Sequence, residues 1–314
     1  MKWPGWRATA HAGARHATWP PSIAALLLLL ACAMPPVALP RDTFDAIVIF
    51  DITQSMDVED VQVDGAVASR LALARESARR TLRALPCGSR VGWGAFTEYR
   101  TLLLLAPIEV CANYGDLMAT LDSIDGRIRW GNASEISKGV FWAMRAAKEL
   151  QPRPAVVFIT DGQESPPLGT SNFPMFDDLA PGQVGGWLVG VGGSVPRPIP
   201  RTDGQGNRIG YWRAQDVIQR DVPAGAPASH EQLSELNEPH LRGLAAQVGF
   251  DYAALADPAT LVDLVRDPRL AHRTKVATDL SWLPASGALL LLAGYFRPAA
   301  WHRRRRGLNR ISDI

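Results

Sequence analysis

Ala46-Ile47-Val48-Ile49-Phe50-Asp51-Ile52-Thr53-Gln54-Ser55 is a short apolar run that ends in an aspartate. Residues 46–50 show no alternation of polar and apolar side chains, so both faces of the strand they form must be covered, as in a buried parallel strand. Asp51, Thr53 and Ser55 follow at a D-x-T-x-S spacing on the strand-to-loop turn. In open α/β sheets the carboxyl ends of strands are where ligands bind. One carboxylate and two hydroxyls are hard oxygen donors of low total charge, a set suited to partly hydrated Mg²⁺ or Mn²⁺ and unsuited to thiophilic metals. Taken alone, the same spacing also describes an Asp and two hydroxyls capping a turn.

Two further stretches bear on that alternative. Pro154-Ala155-Val156-Val157-Phe158-Ile159-Thr160-Asp161-Gly162 is a second apolar strand ending in an aspartate. Between the two lies Trp130-Gly131-Asn132-Ala133-Ser134-Glu135-Ile136-Ser137-Lys138-Gly139-Val140, a polar turn leading into a helix. With these three pieces the chain resembles a von Willebrand factor A (VWA) domain over roughly residues 44–265. In that family a metal-ion-dependent adhesion site reads D-x-S-x-S, then a Thr in a G-x-T-x-I-x-x-G-like turn, then the Asp of a T-D-G. Asp51, Thr53 and Ser55 match the first part with Thr in place of the middle Ser, Ser134 stands where the family has Thr, and Asp161 matches the last. Both departures keep a hydroxyl. The resemblance implies a divalent cation, Mg²⁺ first and Mn²⁺ or Ca²⁺ as alternatives, held by Asp51, Thr53, Ser55, Ser134 and Asp161. It also implies a protein partner that completes the coordination with an acidic residue.

The chain has 314 residues and a formal net charge of +2, room for one large domain with appendages. That balance gives no reason to expect a nucleic-acid partner. Its basic excess is local, with Arg297, Arg303–Arg306 and Arg310 gathered at the C-terminus. Residues 1–40 read as a basic leader, with Lys2, Arg7 and Arg15, followed by the apolar run Ile23–Met34. This is the layout of a signal peptide, with Ala31-Cys32-Ala33 as a small-residue cleavage site, or of a retained anchor. Leu29-Leu30-Ala31-Cys32 is a poor match to a lipidation box. A second apolar run at 280–297 nears the lower length limit for a spanning helix, about 17 residues. The arginines after it, in the tail 298–314, fall where the positive-inside rule places the cytoplasm. The expectation is a bacterial inner-membrane protein with a periplasmic domain and a cytoplasmic C-terminus.

The cysteines fit that compartment. Val91–Phe96 and Thr101–Leu105 read as strands joined by a tight turn near Thr97–Arg100, and Cys87 and Cys111 lie at nearly equal distances either side of it. A hairpin brings them together at its open end, so a Cys87–Cys111 disulfide is expected where oxidising conditions let it persist. Leu71, Ala74, Ala78, Leu82 and Leu85 make an amphipathic helix over Ser69–Leu85, with arginines on its other face. Helices over 113–124 and 135–150 come next, then the strand to Asp161, a strand at Trp187–Val191, a helix at Pro239–Val248, a strand at Phe250–Leu255 and a helix at Pro258–Val265. This alternation predicts an α/β fold with a doubly wound, mostly parallel sheet and one antiparallel hairpin strand. Long insertions fall near 163–183 and 194–235; within the second, Asp203-Gly204-Gln205-Gly206-Asn207 lacks the spacing of a calcium loop and reads as an ordinary turn.

Among VWA proteins, the chain resembles the accessory proteins of methylotroph methanol-oxidation clusters (MxaL type), and more distantly the Bat group of aerotolerance proteins. The residues carrying this are Asp51–Asp60, Ser89–Thr97 and the Trp187–Gly193 strand with its Pro-rich sequel. The first likeness implies an accessory role in assembling, or inserting metal into, a periplasmic dehydrogenase. A rival of another class is a Mg²⁺-dependent phosphatase of the haloacid dehalogenase type. That chemistry needs a second acid two residues after the nucleophile, where this chain has Thr53, and Lys148, the nearest candidate lysine, sits in a helix. A serine hydrolase lacks its G-x-S-x-G, with His230 and His240 in a loop and at a helix start. No enzyme is expected.

Overall fold

A computed structural model describes residues 19–165, 179–217 and 230–296. The leader up to residue 18, the basic tail after 296, and the parts of the two insertions at 166–178 and 218–229 lie outside the described residues.

In chain order, the elements begin with helix α1 (Trp19–Ala33) and strand β1 (Val37–Asp51), then the small hairpin β2 (Val61–Val63) and β3 (Ala66–Ala68). Helix α2 (Arg70–Ala84) leads to the hairpin β4 (Arg90–Thr97) and β5 (Arg100–Glu109), then to α3 (Tyr114–Ser123) and α4 (Ile136–Glu149). Strands β6 (Ala155–Thr160) and β7 (Gly186–Gly190) precede the short strands β8 (Arg197–Pro198), β9 (Pro200–Thr202), β10 (Arg208–Tyr211) and β11 (Leu233–Ser234). The chain continues through α5 (Glu238–Val248), β12 (Asp251–Ala254), α6 (Pro258–Val265), β13 (Ala271–Thr278) and α7 (Trp282–Tyr295).

These form two compact units, one from Arg41 to Thr274 and one from the segments outside it. In the larger unit the sheet order is β12-β7-β6-β1-β4-β5, with β13 pairing β1 as well. β1 lies parallel to β4 on one side, Asp51 opposite Phe96, and parallel to β6 on the other, Phe50 opposite Ile159. Only β5 runs antiparallel along this path, in its hairpin with β4. The expected fold class is therefore observed: mixed α/β with a mostly parallel central sheet.

Period-two side-chain alternation sorts the sheet residues between two covers. Ala46, Val48 and Phe50 pack with α2, α3 and α6 through residues such as Leu71, Ala78, Leu117 and Leu261. Ile47 and Ile49 pack with α4 and α5 through Val140, Ala143, Leu241 and Leu244. Ile47, Ile49 and Phe50 are wholly buried, as a strand without alternation requires. From β1 the chain proceeds to β4 on one side and later to β6 on the other, so the carboxyl end of β1 opens at the topological switch point of the sheet.

Three features depart from the sequence reading. The second insertion is not irregular throughout, since β9 pairs with β10 and β8 with β11. The Asp203 turn closes the β9–β10 hairpin, its carboxylate accepting hydrogen bonds from the backbone N–H groups of Gln205 and Asn207 and from the Asn207 side chain. Strand β13 was not expected; Thr43 Oγ1 donates to the His272 carbonyl at 3.0 Å and lies 3.0 Å from Thr274 Oγ1.

The third departure concerns the spanning helix expected at 280–297. α7 has 14 residues, about 21 Å of helix at 1.5 Å per residue, against a hydrocarbon core of about 30 Å. Among the described residues no helix is long and apolar enough to cross a membrane. In the smaller unit α1 and α7 pack together, burying Ala24 and Ala288 while Leu26, Leu29, Leu289 and Leu290 stay exposed. The disulfide joins Cys87 and Cys111 at the open end of the β4–β5 hairpin, with Cα atoms 5.3 Å apart.

Candidate metal site at the end of the central strand

Asp51 is the last residue of β1 and wholly buried. The chain leaves it through Ile52, whose N–H still donates to the Phe96 carbonyl, and then winds into a 3₁₀ turn at Gln54–Asp57. Thr53 donates to Asp51 Oδ1 through both its backbone N–H (2.9 Å) and its hydroxyl (2.7 Å). Thr160 Oγ1, one residue before Asp161, donates to Asp51 Oδ2 at 2.7 Å. Ser55 Oγ lies 3.1 Å from Thr53 Oγ1. Thr53 thus spends its proton on a carboxylate, which makes Ser55 the donor between the two hydroxyls and leaves Thr53 one lone pair for a cation. Burial, and after it the negative charge of Asp161, push the Asp51 carboxyl up to about 7, opposed by the hydrogen bonds from Thr160 and Thr53.

Asp161 continues from the end of β6 and is also wholly buried. Gly162 after it has φ +80°, and a Cβ there would lie 2.8 Å from Leu241 Cγ, so the turn requires a glycine. Asp161 Oδ1 accepts from the Gln163 N–H at 3.1 Å. Its Oδ2 accepts from Arg70 Nη1 and from Ser234 Oγ, each at 2.8 Å.

Ser134 arrives from the polar turn before α4. Its backbone exchanges two hydrogen bonds with Ser165, 2.7 and 2.8 Å, and the flanking residues are tied to the end of the β4–β5 hairpin through Glu98. Its hydroxyl is buried and makes no hydrogen bond. A buried hydroxyl without a partner is costly, and a cation ligated through its lone pair would remove that cost. The observation fits the donor set of three hydroxyls and two carboxylates to a divalent cation, with Thr53, Ser55 and Ser134 as neutral oxygens and Asp51 and Asp161 as charged ones. Among the described residues, three or more His, Cys, Asp or Glu groups converge only at Cys87, Glu109 and Cys111, where both sulfurs are consumed by the disulfide.

Sequence reading missed four supporting residues. Arg70, placed on the exposed face of α2 with the other arginines, is wholly buried; it shares a face with Ala74, Ser77 and Thr81, the spacing that could have marked it. Thr160 and Ser234 are the others that touch a site carboxylate. Glu164 is the fourth: it accepts from the N–H groups of Ile136 and Ser137 and from Ser137 Oγ, so it caps α4 from another segment and fixes the turn carrying Ser134. His240 Nε2 lies 3.1 Å from the same carboxylate. The 126–134 segment and the second insertion flank the loop after β1: Arg129 Nε donates to the Ile52 carbonyl at 2.6 Å, and Trp212 Nε1 donates to Gln54 Oε1 at 2.6 Å. Beside Gln163 and Glu164 a cavity of about 880 Å³ is also lined by Glu231, Leu236 and His240.

No family model matches the chain. It is 26% identical over 161 residues to UPF0353 proteins of two Mycobacterium leprae strains, Br4923 and TN, a match covering 48% of this chain and 44% of theirs. The chain thus spans less than half the length of the curated relatives it matches. Among solved structures it is similar to BatB from Bacteroides thetaiotaomicron, at 19% identity and a TM-score of 0.47 over 70% of this chain and 94% of that one. It is similar to an aerotolerance-related membrane protein from Bacteroides fragilis, at 19% identity and 0.46 over 71% and 96%. A von Willebrand factor type A protein from Catenulispora acidiphila is similar at 13% identity and 0.39 over 81% and 46%.

Proposed function

We propose that this chain is a divalent-cation-dependent protein-binding module of the VWA type, and that Mg²⁺ held by Asp51, Thr53, Ser55, Ser134 and Asp161 is completed by an acidic side chain of a partner. The observation that carries the reading is the buried, unpartnered hydroxyl of Ser134, placed on the turn that the sequence pattern assigns to the ion site. Once bound, the ion supplies a positive centre with open coordination for a carboxylate. The chain's own residues hold the donors: Thr53 and Thr160 orient Asp51, and Glu164 fixes the Ser134 turn.

Binding is favoured over catalysis by the same geometry. Both Asp51 oxygens accept hydrogen bonds from Thr53 and Thr160 and the carboxylate is wholly buried, an arrangement that suits a held, orienting carboxylate better than a phosphoryl nucleophile. Turnover of an aryl phosphate with Mg²⁺, abolished by Asp51→Asn, would overturn this choice.

We place the module in an oxidising, extracytoplasmic compartment at a membrane. The Cys87–Cys111 disulfide supports the compartment, and the exposed leucines of α1 and α7 support the membrane. Of the two settings weighed from the sequence, we favour a subunit of a Bat-like complex over a dehydrogenase accessory factor. BatB and an aerotolerance-related membrane protein are among the structures to which the chain is similar, and that likeness supports this choice. The test is a pull-down from membranes with the full-length chain in Mg²⁺, in EDTA, and with Asp161→Ala. Partner recovery is expected only for the wild type in Mg²⁺; equal recovery in all three rejects ion-mediated binding. The partners captured separate the two settings.

A further inference from the structure

We infer that Arg70 is a positioning residue of the ion site: its guanidinium engages one oxygen of Asp161, so that the site holds a divalent cation weakly by itself and tightly once a partner's carboxylate joins it. This rests on the ion-site reading above and adds what sets the strength of that site.

Arg70 opens α2 and is wholly buried. It forms a fork with Asp60, Nε to Oδ1 at 2.9 Å and Nη2 to Oδ2 at 2.6 Å. Its Nη1 donates to Asp161 Oδ2 at 2.8 Å, to Ser234 Oγ at 2.6 Å, and to the Ser55 carbonyl at 3.4 Å, while Nη2 reaches the Ser234 carbonyl at 3.3 Å. One side chain therefore ties together the metal loop, the loop after it, the Asp161 turn and strand β11. Gly192, at φ +126°, makes the room: a Cβ there would lie 2.6 Å from Arg70 Nε.

The chemistry follows from charge and from occupancy of lone pairs. Arg70 carries its positive charge at any accessible pH. Asp60 also anchors its orientation, so the guanidinium is not free to swing out when an ion arrives. With Oδ2 engaged by Arg70 and Ser234, part of the negative charge of Asp161 is already compensated. An ion at Thr53, Ser55 and Ser134 is then short of anionic ligands, and that shortage is what an incoming carboxylate relieves. Removing Arg70 should strengthen binding of the bare ion. A merely structural arginine gives the opposite result, because its loss loosens the site.

The experiment measures Mn²⁺ binding to the full-length chain by paramagnetic resonance, with the metal alone and no partner. The principal variant is Arg70→Met combined with Asp60→Asn, which removes the buried ion pair without stranding Asp60. It should bind Mn²⁺ at least tenfold more tightly than wild type, with Arg70→Lys, which keeps the charge and loses the fork, falling between. Ser234→Ala, a mild change that frees one donor contact on Asp161, should give a smaller gain of about threefold and serves if the double variant does not fold by circular dichroism. Equal or weaker Mn²⁺ binding in a folded variant, beside a wild type that binds, overturns the role of Arg70. Failure of wild type and variants alike to bind up to millimolar Mn²⁺ sinks the ion-site reading itself, a distinguishable result.

Discussion

Asp51 sits where two demands oppose each other. Burial beside Asp161 favours its neutral form, whereas an ion at Thr53 and Ser55 needs the carboxylate. Its folded pKa is raised to about 7 from an ordinary 3.8. A raised folded pKa means that the folded chain binds more protons than the unfolded one between those values. The contribution to stability is therefore complete below about pH 4 and is lost as the pH rises through 7. In ion-free protein the melting temperature is expected to fall from pH 5 to pH 7.5 more steeply in wild type than in Asp51→Asn. Mg²⁺ should raise it more at pH 7.5 than at pH 5, because the ion selects the ionised form. Scanning calorimetry with and without Mg²⁺ checks both; identical slopes for wild type and Asp51→Asn would contradict the assignment.

At the scale of elements, the site depends on how α4 begins. Glu135 precedes the helix without making a side-chain cap, and Glu164 supplies the acceptors from across the sheet end. A carboxylate at a helix N-terminus also meets the positive end of the helix dipole. Glu164→Ala removes both effects and is expected to cost about 1–2 kcal/mol of stability. Hydrogen exchange should quicken at Ile136 and Ser137 first, and Mn²⁺ affinity should drop because Ser134 lies two residues upstream. Unchanged protection of that turn would show that α4 is held from elsewhere. The elements themselves were largely readable: α2, α4 and α6 follow their apolar periodicity closely, and the β4–β5 hairpin follows its turn. β13 was not readable, because Ala271–Thr278 alternates weakly and mostly faces outward. Glu164 was not readable for another reason: nothing local tells a capping carboxylate that its helix lies elsewhere in the chain.

Over the whole molecule, the larger unit is closed covalently at one sheet edge. The Cys87–Cys111 bond spans a separation of 24 residues, and loop-closure entropy for such a loop corresponds to about 3.5 kcal/mol. Replacing both cysteines by alanine should lower unfolding free energy in urea by about that amount while leaving Mn²⁺ affinity within a factor of two, since the bond lies at the opposite end of β4 from the ion site. A loss of ion binding in the folded double variant would show that the hairpin transmits strain to Thr97 and Glu98.

The sequence alone determined that two buried strands end in aspartates, that hydroxyls follow the first at alternate positions, and that a hairpin brings two cysteines together. Those are local facts of periodicity and turn chemistry, and the fold preserves them. Tertiary structure decided which carboxylate oxygens are already engaged, and by what. Arg70 reads as one more surface arginine on an amphipathic helix until Asp60, Asp161 and Ser234 close around it, because a buried charge is tolerated only where distant segments bring its counter-charges and acceptors. Such convergence has no period in the chain. The aspartate at the end of β1 was legible from its own neighbours; the balance of charge around it was set by residues far away in sequence.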